Sequence, residues 1–148
     1  MKILFLCHGN ICRSPMAEFI LKDLCRKEAL SWEIASAALT SEEIGNPVYP
    51  PARRKLAEYG LSCAGKTARR VTKADYEYYD LLIGMDRENE WLMQRLFAPD
   101  KERKLHMLKE YAEIGREVDD PWYTGDFETT YRKILKGCEG LLERYREE

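Results

Sequence analysis

The chain has 148 residues, 45% hydrophobic and 34% charged, with a net charge of −2. That length suits one globular domain, residues 1–148, with a core that needs no disulfide or metal staples, and the near-neutral charge excludes the basic footprint of a nucleic-acid or membrane-surface binder. Five scattered cysteines and two histidines, His8 and His106, form neither a disulfide framework nor a metal-ligand set, so a reducing cytoplasm and no metal or cofactor are expected.

Lys2 to Leu6 is short and apolar, and Gly9-Asn10 follows soon after, which predicts a strand buried on both faces. The apolar run is too short for a signal peptide, and no segment is long and apolar enough to span a bilayer. From Pro15 onward Met16, Phe19, Ile20 and Leu24 recur at helical spacing, with Ser14 as the expected N-cap and Pro15 as the first helical residue. Trp32 to Leu39 reads as a second strand, Thr40 to Pro51 as a loop, and Ala52 to Tyr59 as a helix ended by Gly60. Asp80 to Met85 is a third buried strand, Arg87 to Phe97 a helix and Lys104 to Leu108 a short last strand. Residues 115–126 are expected as loop and Phe127 to Tyr145 as the closing helix. Tyr76, Tyr78 and Tyr79 precede the third strand, either as packing residues or as phosphorylation sites, and packing is the preferred reading. Strands alternating with helices imply a doubly wound α/β fold on a parallel sheet.

Two segments compete as phosphate loops. Gly60 to Thr67 satisfies the nucleotide-binding pattern G-x-x-x-x-G-K-[ST] in full. That motif needs a buried strand before its first glycine, whereas the residues before Gly60 are helical and charged, so Gly60 is better read as a helix C-cap. The other segment is Cys7-His8-Gly9-Asn10-Ile11-Cys12-Arg13-Ser14. Its cysteine-to-arginine spacing alone decides nothing, because Cys63 and Arg69 repeat it. Placement decides, since only Cys7 lies between a buried strand and a helix N-terminus, where loop amides gather an anion.

The thiolate is the nucleophilic form of cysteine, and a helix N-terminus with a nearby arginine favours it. Loop amides from His8 to Arg13 can ring phosphate oxygens while the Arg13 guanidinium grips two of them with its planar fork. Gly9 permits the sharp turn, Asn10 tolerates a left-handed backbone, and the Ser14 hydroxyl can bond the sulfur and ease its departure. A general acid must face the nucleophile, and Asp120 qualifies, because Pro121 fixes it in an extended conformation. Trp122 and Tyr123 beside it can wall an aromatic substrate. Cys12 is placed either to trap an oxidised Cys7 as a disulfide or to pack as a buried thiol.

Cys7 to Pro15 after an N-terminal strand, with Asp120-Pro121 late in the chain, resembles the low-molecular-weight protein tyrosine phosphatases. Ser36-Ala37-Ala38, Ala68-Arg69 and Met85-Asp86 extend the resemblance along the whole chain. It implies a three-layer, flavodoxin-like α/β/α fold with a four-stranded parallel sheet. It also implies a cytoplasmic, metal-free enzyme that hydrolyses phosphotyrosine through a phosphocysteine on Cys7. Arg13 would bind phosphate and Asp120 would serve as proton donor and then as base. The implied partners are tyrosine-phosphorylated proteins, with phosphate or other oxyanions in the loop; neither nucleic acid nor membrane is expected, and a monomer is. Within the same resemblance, arginine phosphatases carry threonine where Ile11 stands, and arsenate reductases need a cysteine pair that residues 81–97 lack. His8 is expected to face solvent. Glu42-Glu43 stands where relatives place an aromatic wall, which predicts an acidic side to the cleft, and Lys66 replaces a histidine that supports Asn10 in some relatives.

Overall fold

A computed structural model describes residues 1–147. Strand β1 (Lys2–Cys7) is flanked by β2 (Glu33–Ala38) and β3 (Leu81–Gly84), and β4 (Leu105–Met107) adds to β3, so the parallel order is β2-β1-β3-β4. Successive side chains of a strand leave on opposite faces. In β1, Ile3, Phe5 and Cys7 therefore enter one core while Leu4 and Leu6 enter the other, all at most 2% exposed. Burying each such aliphatic or aromatic side chain contributes about 1.5–3 kcal/mol, which explains the unbroken apolar run.

The Cys7 face is covered by α1 (Arg13–Lys27), α2 (Pro50–Glu58) and α6 (Phe127–Tyr145). Helix α6 lays Tyr131, Ile134, Cys138, Leu141 and Leu142 on that core, steps of three and four residues with Leu142 four after Cys138, which keeps one stripe inward. The opposite face receives Tyr76 from α3 (Lys73–Tyr78) and Met93 and Phe97 from α4 (Arg87–Phe97). The result is the three-layer α/β/α arrangement. Since β1 leads by α1 to one neighbour while β3 lies on its other side, the strand order reverses at β1. Ligands of such sheets sit outside the carboxyl ends of the strands at that switch point, where Cys7 stands.

Several local expectations need correction. Ser14 is not the N-cap; α1 begins at Arg13 after Cys12, without a side-chain cap, because the Ser14 hydroxyl is turned to Cys7. Pro15 is consequently the third helical residue, still within the turn whose N–H groups lack partners. Pro50 and Pro51 belong to α2 rather than to the preceding loop, since proline suits the first helical turn. Helix α3 was not expected; its signal is the reciprocal cap between Thr72 and Asp75. The supposed loop at 115–126 contains one helical turn, α5 (Pro121–Thr124), opened by Asp120 and closed by Gly125 at φ +73°. Tyr76 and Tyr79 are buried, as the packing reading has it, whereas the more exposed Tyr78 lies under the Lys2 ammonium.

Candidate active site

The loop from β1 to α1 wraps around the Cys7 sulfur. Cys7 Sγ lies 3.0 Å from Ser14 Oγ and receives the Ser14 backbone N–H at 3.4 Å. The turn depends on Asn10, whose φ of +61° is a left-handed conformation that asparagine tolerates better than most residues. Its side-chain amide donates to Ser14 Oγ at 2.7 Å and to Ser36 Oγ at 2.9 Å, and its carbonyl accepts the Arg69 N–H. Because Ser14 Oγ already accepts from that amide, its own proton is free to point at the sulfur. The Ser36 hydroxyl donates a hydrogen bond to the buried Glu18, and Lys66 Nζ donates to Ser36 O at 2.8 Å and stands 3.7 Å from Glu18. Burial pulls the Lys66 ammonium below its usual pKa, which Glu18 opposes. Lys66 thus supports Asn10 at one remove, through Ser36.

Arg13 is 2% exposed and is held from several sides. Its Nη1 donates to Asp86 Oδ2 at 2.5 Å and to Val118 O at 3.1 Å, and its Nη2 lies 3.5 Å from Asp120 Oδ2. Burial works against the guanidinium charge, but Cys7, Asp86 and Asp120 outweigh it and push the Arg13 pKa up. Its Nε is buried without a hydrogen-bond partner among the described residues, a donor available to an oxyanion. Asp86 was not expected as a site residue. Its other oxygen caps α4 at Asn89 N, so the helix start fixes the carboxylate that aims Arg13.

These groups meet at a cavity of about 340 Å³, at the small end of ordinary ligand sites. The loop from β1 to α1 contributes Cys7, His8, Gly9, Ile11, Cys12 and Arg13 to its walls. Glu42 and Glu43 line another side, as the acidic reading of the cleft anticipates, and Asp120, Trp122 and Tyr123 complete it. Asn10 and Ser14 face the supporting network instead. Asp120 has the extended backbone expected before proline, and its Oδ1 accepts the Trp122 N–H at 3.0 Å. Trp122 is half-exposed, its ring 4.6 Å from that of Tyr49, an unexpected member whose backbone N–H binds Ile11 O. Cys12 is buried, and burial drives its thiol pKa far up.

His8 departs from expectation. Rather than facing solvent freely, it bridges Glu42 and Glu88, with Nδ1 2.9 Å from Glu88 Oε1 and Nε2 against Glu42 Oε2. The competing segment at Gly60 to Thr67 is no phosphate loop: it follows α2, Gly60 has the positive φ of a helix end, and Lys66 is engaged with Ser36.

A family profile described as low molecular weight phosphotyrosine protein phosphatase matches residues 2–148. The low molecular weight protein-tyrosine-phosphatase YfkJ of Bacillus subtilis is 38% identical over 152 residues, covering 100% of this chain and 97% of its own. Its crystal structure superposes with a TM-score of 0.95 at 36% identity, over 99% of this chain and 95% of that one. The low molecular weight protein tyrosine phosphatase SP-PTP of Streptococcus pyogenes superposes at 0.88, with 35% identity, over 97% and 92% of the two chains. A structure named as a Drosophila arginine phosphatase superposes at 0.89, with 33% identity, over 99% and 98%.

Proposed function

Because the chain belongs to the low molecular weight phosphotyrosine protein phosphatase family, we propose that it hydrolyses phosphotyrosine in proteins by a phosphocysteine route carried by Cys7, Arg13 and Asp120. The Cys7 thiolate attacks phosphorus in line, the S–P bond forms and the P–O bond to the phenol breaks. The protonated Asp120 carboxyl delivers its proton to the departing phenolate oxygen. Water then attacks the phosphocysteine, the Asp120 carboxylate accepts its proton, and phosphate and the thiolate separate, with the Ser14 hydroxyl bonding the sulfur as it leaves. Loop amides and the Arg13 fork stabilise the charge on the transferring phosphoryl oxygens, which is most of the catalysis such transfers need.

The observation that carries this reading is the meeting of Cys7, Arg13 and Asp120 on one cavity, with the Ser14 hydroxyl 3.0 Å from the sulfur. Turnover of an aryl phosphate in excess chelator tests it. Cys7→Ser should abolish turnover and Asp120→Ala should lower it about 10²–10⁴-fold; undiminished turnover in Cys7→Ser would overturn the assignment. Likeness to an arginine phosphatase favours a second reading. Ile11, Trp122 and Tyr123 on the cavity wall favour a phenyl ring over a guanidino group, and phosphotyrosine and phosphoarginine peptides assayed side by side separate the two. The cores on the two faces of one sheet support a single domain, and the proposed monomer is to be tested by analytical ultracentrifugation. Five free cysteines support a cytoplasmic site of action, and no helix among the described residues is long and apolar enough to cross a membrane.

A further inference from the structure

The residue after Cys7 ties the cavity wall at Glu42 to the start of α4 beside it. His8 has a fixed backbone, its carbonyl accepting Thr40 N at 3.1 Å and Thr40 Oγ1 at 3.0 Å, so the imidazole projects from a rigid base. The charged groups that face the ring are Glu42, from the loop after β2, and Glu88, from the first turn of α4. A neutral imidazole has one N–H and one lone pair. With a carboxylate oxygen against each ring nitrogen, a neutral ring would set a lone pair against an anion, so the double bridge requires the second proton. Partial burial depresses the imidazole's pKa, but the hydrogen bonds and charges of Glu42 and Glu88 outweigh that and raise it above 6.5. Glu42 and Glu88 are 65% and 60% exposed, free to swing outward once the bridge is lost. Glu43 lines the cavity beside Glu42, so one imidazolium stands among three carboxylates, two of them on the cavity wall.

Resting on the phosphotyrosine reading above, we propose that His8 is a specificity-determining residue: as an imidazolium it ties Glu42, on the cavity wall, to Glu88 beyond it. Loss of its proton frees a carboxylate there and sharpens discrimination against phosphotyrosines with acidic flanks. The favoured substrates are phosphotyrosine segments flanked by lysine or arginine. One added rim charge at about 8 Å from a flanking charge changes relative kcat/KM by about two- to tenfold, the low end in a water-like dielectric, and salt weakens the effect.

The test compares two phosphotyrosine peptides, identical except for lysine or glutamate on either side of the tyrosine, from pH 5.5 to 8.5 at constant low ionic strength. The ratio of their kcat/KM values cancels the titration of Cys7, Asp120 and the phosphate. The preference for lysine flanks should rise about two- to tenfold with pH. Its midpoint should match the His8 imidazole pKa read by NMR, with the one other histidine assigned through His106→Gln. In His8→Gln the preference should not vary with pH, and in Glu88→Gln the imidazole pKa should fall. A constant preference in the wild-type enzyme, an unchanged pH dependence in His8→Gln, or an unmoved imidazole in Glu88→Gln overturns the proposal. Failure of the underlying reading shows separately, as absent hydrolysis of both peptides while the NMR titration still reports the bridge.

Discussion

Replacing Asn10 separates what its side chain does for chemistry from what its backbone does for stability. The residue is 1% exposed, with φ at +61°, and its amide makes three hydrogen bonds to Ser14, Ser36 and Arg69 N. Each such bond contributes about 0.5–1.5 kcal/mol, so Asn10→Gly should destabilise the fold by about 2–4 kcal/mol. Asn10→Ala loses the same bonds and adds the left-handed penalty of about 1–2 kcal/mol for a residue with a Cβ, partly offset by the entropy that glycine loses on folding. Alanine should therefore be about 1 kcal/mol less stable than glycine in urea unfolding. Both variants leave Ser14 Oγ without the donor that orients its proton toward the sulfur. The step in which the thiolate departs should slow about 10- to 100-fold in each, the equivalent of about 1.4–2.7 kcal/mol, and rapid-quench measurements should show phosphocysteine accumulating. An Asn10→Gly enzyme with wild-type turnover would refute the orienting role, and equal stability of the two variants would refute the backbone argument.

Asp86→Asn keeps the shape of the α4 cap but removes the charge that aims Arg13; a charge-assisted bond of about 1.5–3 kcal/mol predicts a fall in kcat/KM of about 10- to 100-fold, measured with an aryl phosphate. Gly140→Ala tests the packing of α6, since a Cβ there would lie 1.9 Å from the Tyr111 carbonyl oxygen. Despite better helix propensity, a net loss of about 1–3 kcal/mol and a lower melting temperature are expected in calorimetry. Iodoacetamide at neutral pH should label Cys7 and spare Cys12, whose thiol burial drives far up, with phosphate protecting Cys7; mass mapping reads the outcome. The His8 pKa is raised in the folded state, so its stabilising contribution is fully present below pH 6.5 and lost as pH rises through the folded value. The stability difference between wild type and His8→Gln should accordingly shrink on going from pH 5.5 to 8.5 in urea unfolding.

The elements most legible in the sequence are those with an unambiguous period. Arg87 to Phe97 and Phe127 to Tyr145 have the bounds expected of them, because each carries one inward stripe and ends cleanly. Helix α3 has no legible period because six residues are too few for a 3.6-residue repeat to show; only its Thr72–Asp75 cap marks it. The turn at α5 was hidden by the glycine and aspartate composition of its surroundings. Ser14 shows why cap signals mislead at a site: a serine before a proline and an apolar repeat looks like an N-cap, yet its hydroxyl belongs to the sulfur seven residues earlier.

The parts of the site contiguous in sequence, from Cys7 to Ser14, could be read together because a phosphate loop closes on itself. Its distant partners could not. Asp86 is 73 residues from Arg13, and its chemical role follows from a helix cap that places one oxygen on Asn89 N and the other on the guanidinium. Tyr49 reaches the site only because its backbone N–H binds Ile11 O while its ring meets Trp122. The same holds for His8, whose solvent-facing expectation treated it as a single loop side chain. Glu42 and Glu88 lie 34 and 80 residues away, and only the approach of the β2 loop and α4 to the end of β1 turns a solvated histidine into a bridge between two carboxylates. The carboxyl ends of the strands set which charges surround a loop at the switch point, so a loop considered by itself leaves those charges out.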